Sequence, residues 1–150
     1  MTTDDAILSN LITRLRGLTT AHGYSCNAGA NVWQELEHAT ALFARPCLCV
    51  YQGDLTSGID GDTPPSLGEL NVFMPVIIEG FVDDVEAGTA GADLARDLVT
   101  IIRQDTSFGG HAEYLAGQQI KSTASVQDGG DDGFFSLARI EFTIFYVEAA

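Results

Sequence analysis

Apolar residues recur at spacings of three and four in two segments of the chain, 3–17 and 86–104. A period near 3.6 places them along one side of a helix. The stripes comprise Ile7, Leu8, Leu11, Ile12 and Leu15 in the first segment and Leu94, Leu98, Ile101 and Ile102 in the second. Thr3 and the two carboxylates after it are a typical helix start. The pattern predicts two helices that pack on another layer, and a weaker pattern over 34–45 predicts a third.

Two segments in the middle of the chain are apolar on both sides. The first, 46–52, predicts a buried central strand that ends at Gly53. The second, 70–82, predicts a long strand. Because Pro75 has no N–H to donate, this strand lies at a sheet edge or is bulged at the proline.

Alternation of apolar and polar residues marks the end of the chain. It runs over 120–127 and again over 134–148, around a turn of Gly and Asp at 128–133. Two alternating runs around such a turn predict a β-hairpin. The residues expected to face inward in the second strand are Phe134, Ile140, Phe142, Ile144 and Tyr146.

The elements follow one another as helix, strands, helix and hairpin, without an internal repeat. This order predicts an α+β fold, in which a mostly antiparallel sheet packs against two helices and the chain ends in a β-hairpin. A length of 150 residues predicts a single domain over 1–150. Within it, residues 53–69 are rich in Gly, Pro and acids, which predicts a long mobile loop with a functional role.

Acidic residues dominate the charge. Seven Lys and Arg stand against 21 Asp and Glu, which gives a net charge of −14 at pH 7. Nucleic acids and anionic membranes are bound mainly through Lys and Arg, so this balance excludes a protein that grips either. No segment approaches the roughly 18 to 20 apolar residues of a membrane-spanning helix. The acidic start and the odd number of cysteines predict synthesis in the cytoplasm, without a signal peptide.

Side chains capable of chemistry are present without a recognisable motif. Five could bind zinc: Cys26, Cys47, Cys49, His22 and His38. Six loop acids could bind a cation: Asp54, Asp60, Asp62, Asp128, Asp131 and Asp132. Four could be drawn into a hydrolytic site: Ser57, Ser107, His111 and Glu113. The cysteines lack a Cys-x-x-Cys pair, the acids lack the register of a calcium loop, and the hydrolytic set is arbitrary. We therefore predict no cofactor and no enzymatic activity.

Six segments appear in a characteristic order: ILSNLITRLRGL, LTTAHGYSCNAGANVW, PCLCVYQGD, FMPVIIEGFV, AGADLARDLVTIIRQD and IEFTIFYVE. In this order the chain resembles, over nearly its whole length, the tail terminator family of long-tailed phages, prophages and gene transfer agents, the lambda-type minor tail protein U family. The resemblance implies an α+β subunit that forms a hexameric ring in the virion, at the head-proximal end of the tail. Such a ring caps the tail tube, stops its polymerisation and offers a surface to the head-side connector, without cofactor or catalysis.

A ring subunit must bury surface on both flanks. Phe73, Ile77 and Phe81 give the long strand a second apolar face, which we predict to be the subunit interface unless the first helix covers it. The predicted docking residues for tube or connector are Asp54, Leu55, Ile59, Asp60 and Asp62. Acids that face a central channel would repel DNA phosphates and let DNA pass.

Two alternatives stay open. A neck protein at the head-to-tail joint of the same particle would have a similar sequence pattern. A small cytoplasmic enzyme or ligand-binding domain would instead have a deep polar pocket that contains His38 or His111.

Overall fold

The computed structural model describes residues 2–34, 45–58, 69–83, 89–130 and 133–149. These residues form two α-helices, α1 (Thr3–Leu15) and α2 (Ala90–Gln104). They also form seven strands: β1 (Val32–Gln34), β2 (Cys47–Gln52), β3 (Thr56–Gly58), β4 (Glu69–Asp83), β5 (Tyr114–Leu115), β6 (Lys121–Asp128) and β7 (Phe134–Ala149). All seven strands belong to one sheet, so the predicted α+β class with two helices is confirmed.

The centre of the sheet is a long antiparallel pair, β4 with β7. It runs without interruption from Glu69 opposite Ala149 to Asp83 opposite Phe135. β2 and β3 pair with the other side of β4, and β6 and β5 pair with the other side of β7, all antiparallel. β1 joins β2 in parallel. The pairing of β6 with β7 confirms the terminal hairpin.

Pro75 lies where the strand beside β4 is interrupted. β2 ends at Gln52 and β3 begins at Thr56, so residues 53–55 stand opposite only two residues of β4. The carbonyl of Pro75 accepts from the N–H of Gly53 at 2.9 Å, so its backbone faces this bulge. The donor that proline lacks is not needed there. Of the two sequence-based alternatives, the edge position is wrong, and the bulge lies in the strand beside β4, opposite Pro75, while β4 itself pairs with β7 without interruption.

Both helices cover the same face of the sheet. The even-numbered residues of β4 and β7 point towards them, because side chains alternate along a strand. The buried residues of this core include Ile7, Leu11, Leu15, Val72, Met74, Val76, Ile78, Leu94, Leu98, Ile102, Ile140, Phe142, Ile144 and Tyr146. The helix stripes and most of the inward positions of the hairpin are thus confirmed. Phe134 is the exception, since 59% of it is exposed at the start of β7.

Two glycines allow α2 to lie close to the sheet. A Cβ on Gly91 would come within 2.7 Å of the Cβ of Ser136 on β7. A Cβ on Gly80 of β4 would come within 2.6 Å of a methyl group of Leu94. The thin first half of α2 is therefore needed for the contact, because any side chain here would displace the helix.

Several boundaries differ from the expected ones. Thr2 rather than Thr3 caps α1, and its hydroxyl accepts from the N–H of Asp5. The weak helix predicted over 34–45 lies largely outside the described residues, as does the predicted start of α2, since residues 84–88 are not described. The expected loop over 53–69 is interrupted by a strand, β3, which forms because the free edge of β4 accepts a further partner.

The guanidinium of Arg14 joins the two helices. It donates to the carbonyls of Ile101, Ile102 (3.3 Å) and Asp105 (2.8 Å), at the end of α2. These carbonyls have no partner within the helix, and a cation there also complements the helix dipole. The same guanidinium lies 5.4 Å from the ring centre of Phe108, which is fully buried.

Replacing Arg14 by Met should lower the free energy of unfolding by about 2 to 3 kcal/mol, because the carbonyls at the end of α2 lose a charged donor. Urea denaturation followed by circular dichroism measures this. Arg16→Met is the matched control, since Arg16 is exposed and its loss should cost less than about 0.5 kcal/mol. Equal costs for both variants would contradict the assigned role of Arg14.

The carboxylate of Asp105 closes the turn after α2. It accepts from the hydroxyl of Ser107 at 2.5 Å and from the N–H groups of Ser107 and Gly109 at 2.9 Å. These hydrogen bonds, that from the Ser107 hydroxyl first, hold the pKa of Asp105 below its usual value.

A lowered pKa in the folded state means that ionised Asp105 stabilises the fold above the pKa of the unfolded chain, and that this stabilisation is lost as pH falls through the folded value. Asp105→Asn should therefore reduce the stability difference between pH 7 and pH 3. Thermal unfolding across this pH range measures it. If acidification from pH 7 to pH 3 destabilises Asp105→Asn as much as it destabilises the unsubstituted protein, the assignment is contradicted.

Candidate subunit interface

The sheet face that points away from the helices carries the residues that the sequence singled out for assembly. We call it the outer face. It is formed by the odd-numbered residues of β4 and β7, together with Cys47, Cys49 and Tyr51 of β2. Along the strands it divides into an apolar end, a charged middle and an aromatic end.

The apolar end is a small second core. Cys47, Cys49, Phe81 and Phe135 are buried there, with Trp33, Tyr51 and Leu137 packed against them. The rings of Phe81 and Phe135 lie 6.1 Å apart. Arg45 lies 4.9 Å above the ring of Phe135, and its Nε is 2.7 Å from a carboxylate oxygen of Asp83. This end therefore has little apolar surface left to offer.

The charged middle lies on the next residues of β4 and β7. Arg139 and Glu141 form an ion pair at 2.8 Å, with both side chains partly exposed. Glu79 stands opposite Arg139, and Lys121 of β6 stands opposite Glu141. Two of the seven basic residues of the chain, Lys121 and Arg139, therefore both lie next to Glu141 on the outer face.

The aromatic end is formed by three rings. Phe73 and Phe145 stand opposite each other with ring centres 5.3 Å apart, and Tyr114 of β5 lies 4.8 Å from Phe145. Phe145 is buried by its neighbours, whereas Phe73 and Tyr114 stay half-buried. The three rings shield one another only in part, so this end of the outer face keeps aromatic surface that a partner could contact.

A depression of about 340 Å³ opens between the charged middle and the aromatic end. Pro75, Ile77 and Thr143 line it from the sheet, and Lys121 and Glu141 stand at its charged side. Its remaining lining comes from Val76, Phe142, Ala116 and Gln119. An apolar floor beside charges of both signs is suited to a protruding apolar side chain of a protein partner.

The three predicted interface residues share the outer face but differ in exposure. Phe73 and Ile77 are half-buried, so both can contact a neighbour. Phe81 is fully buried within the chain and offers no surface, because the second core encloses it. Neither α1 nor α2 covers this face, since both lie on the other side of the sheet.

The predicted docking residues are only partly described. Asp54 and Leu55 are exposed in the bulge between β2 and β3. Ile59, Asp60 and Asp62 lie outside the described residues. The prediction of a docking loop therefore stays a prediction, with its first two residues at the surface beside Pro75.

The candidate chemical groups are scattered. In the described part of the chain, no three His, Cys, Asp or Glu side chains form a group that could hold a metal ion. His38 lies outside that part. Ser107 donates its hydroxyl proton to Asp105, while Ser57 lies in β3, and His111 and Glu113 are exposed. Among the described residues, no helix has the length and apolar character needed to cross a bilayer.

Comparison with known proteins adds no relative. The chain matches no family model, and no curated protein is significantly similar to it.

Sequence reasoning missed two features of this surface. The depression around Ile77 depends on residues from β4, β6 and β7 and on the segment after β5, which no local pattern connects. The exposure of Phe134 follows from its place at the very start of β7, where α2 no longer covers the sheet. Its position beside the Gly and Asp turn was the available signal.

Burial predicts the reactivity of the three cysteines, of which only Cys47 and Cys49 belong to the second core. Burial raises the pKa of Cys26, which is half-buried. The hydrogen bond between Cys47 and Cys49, and then burial, raise the pKa of Cys47, whereas the same hydrogen bond lowers the pKa of Cys49. Both side chains are fully buried, so a reagent reaches neither of them in the folded chain. In native protein at pH 8, a thiol reagent should label Cys26 slowly and the other two only on unfolding.

The Cys26→Ser variant makes this measurement clear-cut, because Cys47 and Cys49 are then the only thiols. We expect no thiol titration until denaturant is added. Rapid labelling of two thiols in the native variant would show that the apolar end of the outer face is open.

Proposed function

We propose that the chain is a virion structural protein, a tail terminator that assembles as a hexameric ring, caps the tail tube and presents the interface for head joining. The observation that carries the proposal is the outer face, which neither helix covers and which has a depression around Ile77. The order of segments along the chain, which resembles the tail terminator family, supports the same function.

A closed ring needs two different patches on each subunit, because its contacts are head to tail. The depression around Ile77 is one patch, and Phe134 fits the role of the other. Phe134 is the most exposed large apolar side chain of the described residues, and it stands beside the hairpin turn. Insertion of Phe134 from one subunit into the depression of the next buries both.

The charge of the ring fits a passage for DNA. With a net charge of −14 per subunit, carboxylates along a central bore repel the phosphates of a passing genome. The partners in this proposal are the tail tube protein on one side and the head-side connector on the other. A ring whose bore is neutral or basic would contradict the DNA passage.

Two single substitutions test the ring contact. Ile77→Lys should block the depression, Phe134→Ser should remove the inserting side chain, and each should abolish hexamers in light scattering at high concentration or with tail tubes. A mixture of the two variants keeps one intact ring contact per pair, so the two variants should bind each other without forming hexamers.

Leu70→Ser is the matched control, because it removes another exposed apolar side chain and should leave hexamers intact. Circular dichroism shows whether each variant is folded. Hexamers formed by both folded variants, or monomers of the unsubstituted protein even with tail tubes, would contradict the proposed contact.

Tube growth separates the terminator from the alternative of a neck protein. Added to polymerising tail tube protein, a terminator should shorten the tubes, whereas a neck protein should leave tube length unchanged. A stable monomer that binds a small molecule would favour the enzyme or ligand-binding alternative.

A further inference from the structure

Strand β6 is an unprotected sheet edge. It pairs only with β7 among the described strands, and all eight of its residues are exposed. A sheet edge has a row of free N–H and C=O groups, and proteins usually shield it with charges, proline, a bulge or short length. β6 contains no proline, and its charges, Lys121 and Asp128, stand only at its two ends.

A groove of about 450 Å³ runs between β6 and α2. It is lined by Ala92, Ala95, Arg96, Val99, Ser122, Thr123 and Ala124. Most of these side chains are small, and Arg96 is the only charge among them. On the same face of the same strand, Val126 is 51% exposed. An apolar groove and an exposed apolar side chain therefore lie a few residues apart on one edge.

We propose that two copies of the chain pair through β6, antiparallel, about a two-fold axis at Ser125. In such a pair, residues that stand opposite each other point to the same face of the sheet, so odd-numbered residues pair with odd and even with even. The two-fold axis therefore passes through a residue and not between two residues. Centring on Ser125 places Ala124 opposite Val126 of the partner subunit. It also places Ser122 opposite Asp128 of the partner subunit.

This register matches shape and charge. Val126 of the partner subunit stands beside Ala124, where the groove is lined by small residues of α2. Asp128 of the partner subunit stands beside Ser122 and reaches the part of the groove that holds Arg96. Centring on Ala124 would instead carry Asp128 past Ser122 to Ile120, beyond the groove. This match favours a second copy of the chain as the occupant of the groove, because the groove and the Val126 side chain that fills it lie on the same strand edge.

The distribution of charge also favours β6 as the site where two copies of the chain approach each other. Each copy has a net charge of −14, so most contacts would bring carboxylates together. The six residues 122–127 are uncharged, and antiparallel pairing sets the Lys121 end of one strand beside the Asp128 end of the other. This two-fold contact is separate from the head-to-tail contact of the proposed ring and does not depend on it.

Disulfide trapping tests the register. Two Ser125→Cys residues would face each other about 5 Å apart between Cα atoms, within disulfide range. Two Gln127→Cys residues would be about 14 Å apart between Cα atoms, out of range. Under mild oxidation we expect Ser125→Cys to form covalent dimers at least about tenfold faster than Gln127→Cys. The unsubstituted protein controls for the native cysteines.

Sedimentation velocity tests the groove contact. Val126→Asp should weaken dimerisation at least about tenfold, because it places a carboxylate in an apolar groove. Leu55→Asp is the matched control, since it adds the same charge at another exposed apolar residue away from β6 and should leave the dimer unchanged. Asp128→Asn should weaken the dimer less and reduce its dependence on salt.

Three results would overturn the proposal. The first is a monomer at all concentrations, which would leave the edge to another protein. The second is equal trapping through Ser125→Cys and Gln127→Cys. The third is a dimer as strong in Val126→Asp as in Leu55→Asp. Because Ile77 and Phe134 lie off β6, a loss of the ring in their variants leaves this dimer in place, so the two proposals fail separately.

Discussion

The fold depends on the ladder between β4 and β7. It joins residues 69–83 to residues 135–149. β2, β3, β5 and β6 each pair with one side of it, and β1 is added next to β2. The paired residues of the ladder are 52 to 80 positions apart in the chain, so closing this ladder costs more loop entropy than closing the local hairpin of β6 and β7. The alternation of side chains along this pair of strands also decides which residues lie on each face of the sheet. Even-numbered residues of β4 make the helix-covered core, and odd-numbered residues make the outer face.

The scarcity of basic residues gives each of them a defined place. Four of the seven have a structural partner: Arg14 at the end of α2, Arg45 with Asp83, Arg96 with Asp93, and Arg139 with Glu141. These contacts leave few cations at the surface to offset the 21 acidic residues. The proposed association with another copy would therefore need patches without an excess of negative charge. The depression around Ile77 and the edge of β6 are two such patches in the described structure.

Local sequence patterns predicted what depends on local periodicity. The stripes of α1 and α2, the buried β2 and the terminal hairpin each follow from residues near in sequence. The pattern could not place Arg14, whose three carbonyl partners are about 90 residues away. It could not foresee β3 either, because Thr56 and Ser57 pair only where β4 has a free side. Alternation placed Phe134 on the inner face, but Phe134 is the first residue of β7, and α2 does not extend far enough to cover it. For the candidate site, alternation grouped Phe73, Ile77 and Phe81 on one face but could not show that only Phe81 is enclosed.

The bulge opposite Pro75 sets which side chains of the edge strand face inward. Before it, the odd-numbered residues of β2 lie on the outer face; after it, Thr56 pairs with Phe73 and the even-numbered residues do. The three residues 53–55 thus act as a phase shift between β2 and β3. Inserting or deleting one residue here would exchange the inward and outward sides of β3, whereas a change of two would preserve them. This short surface connection is therefore constrained in the parity of its length, although surface connections generally tolerate insertions.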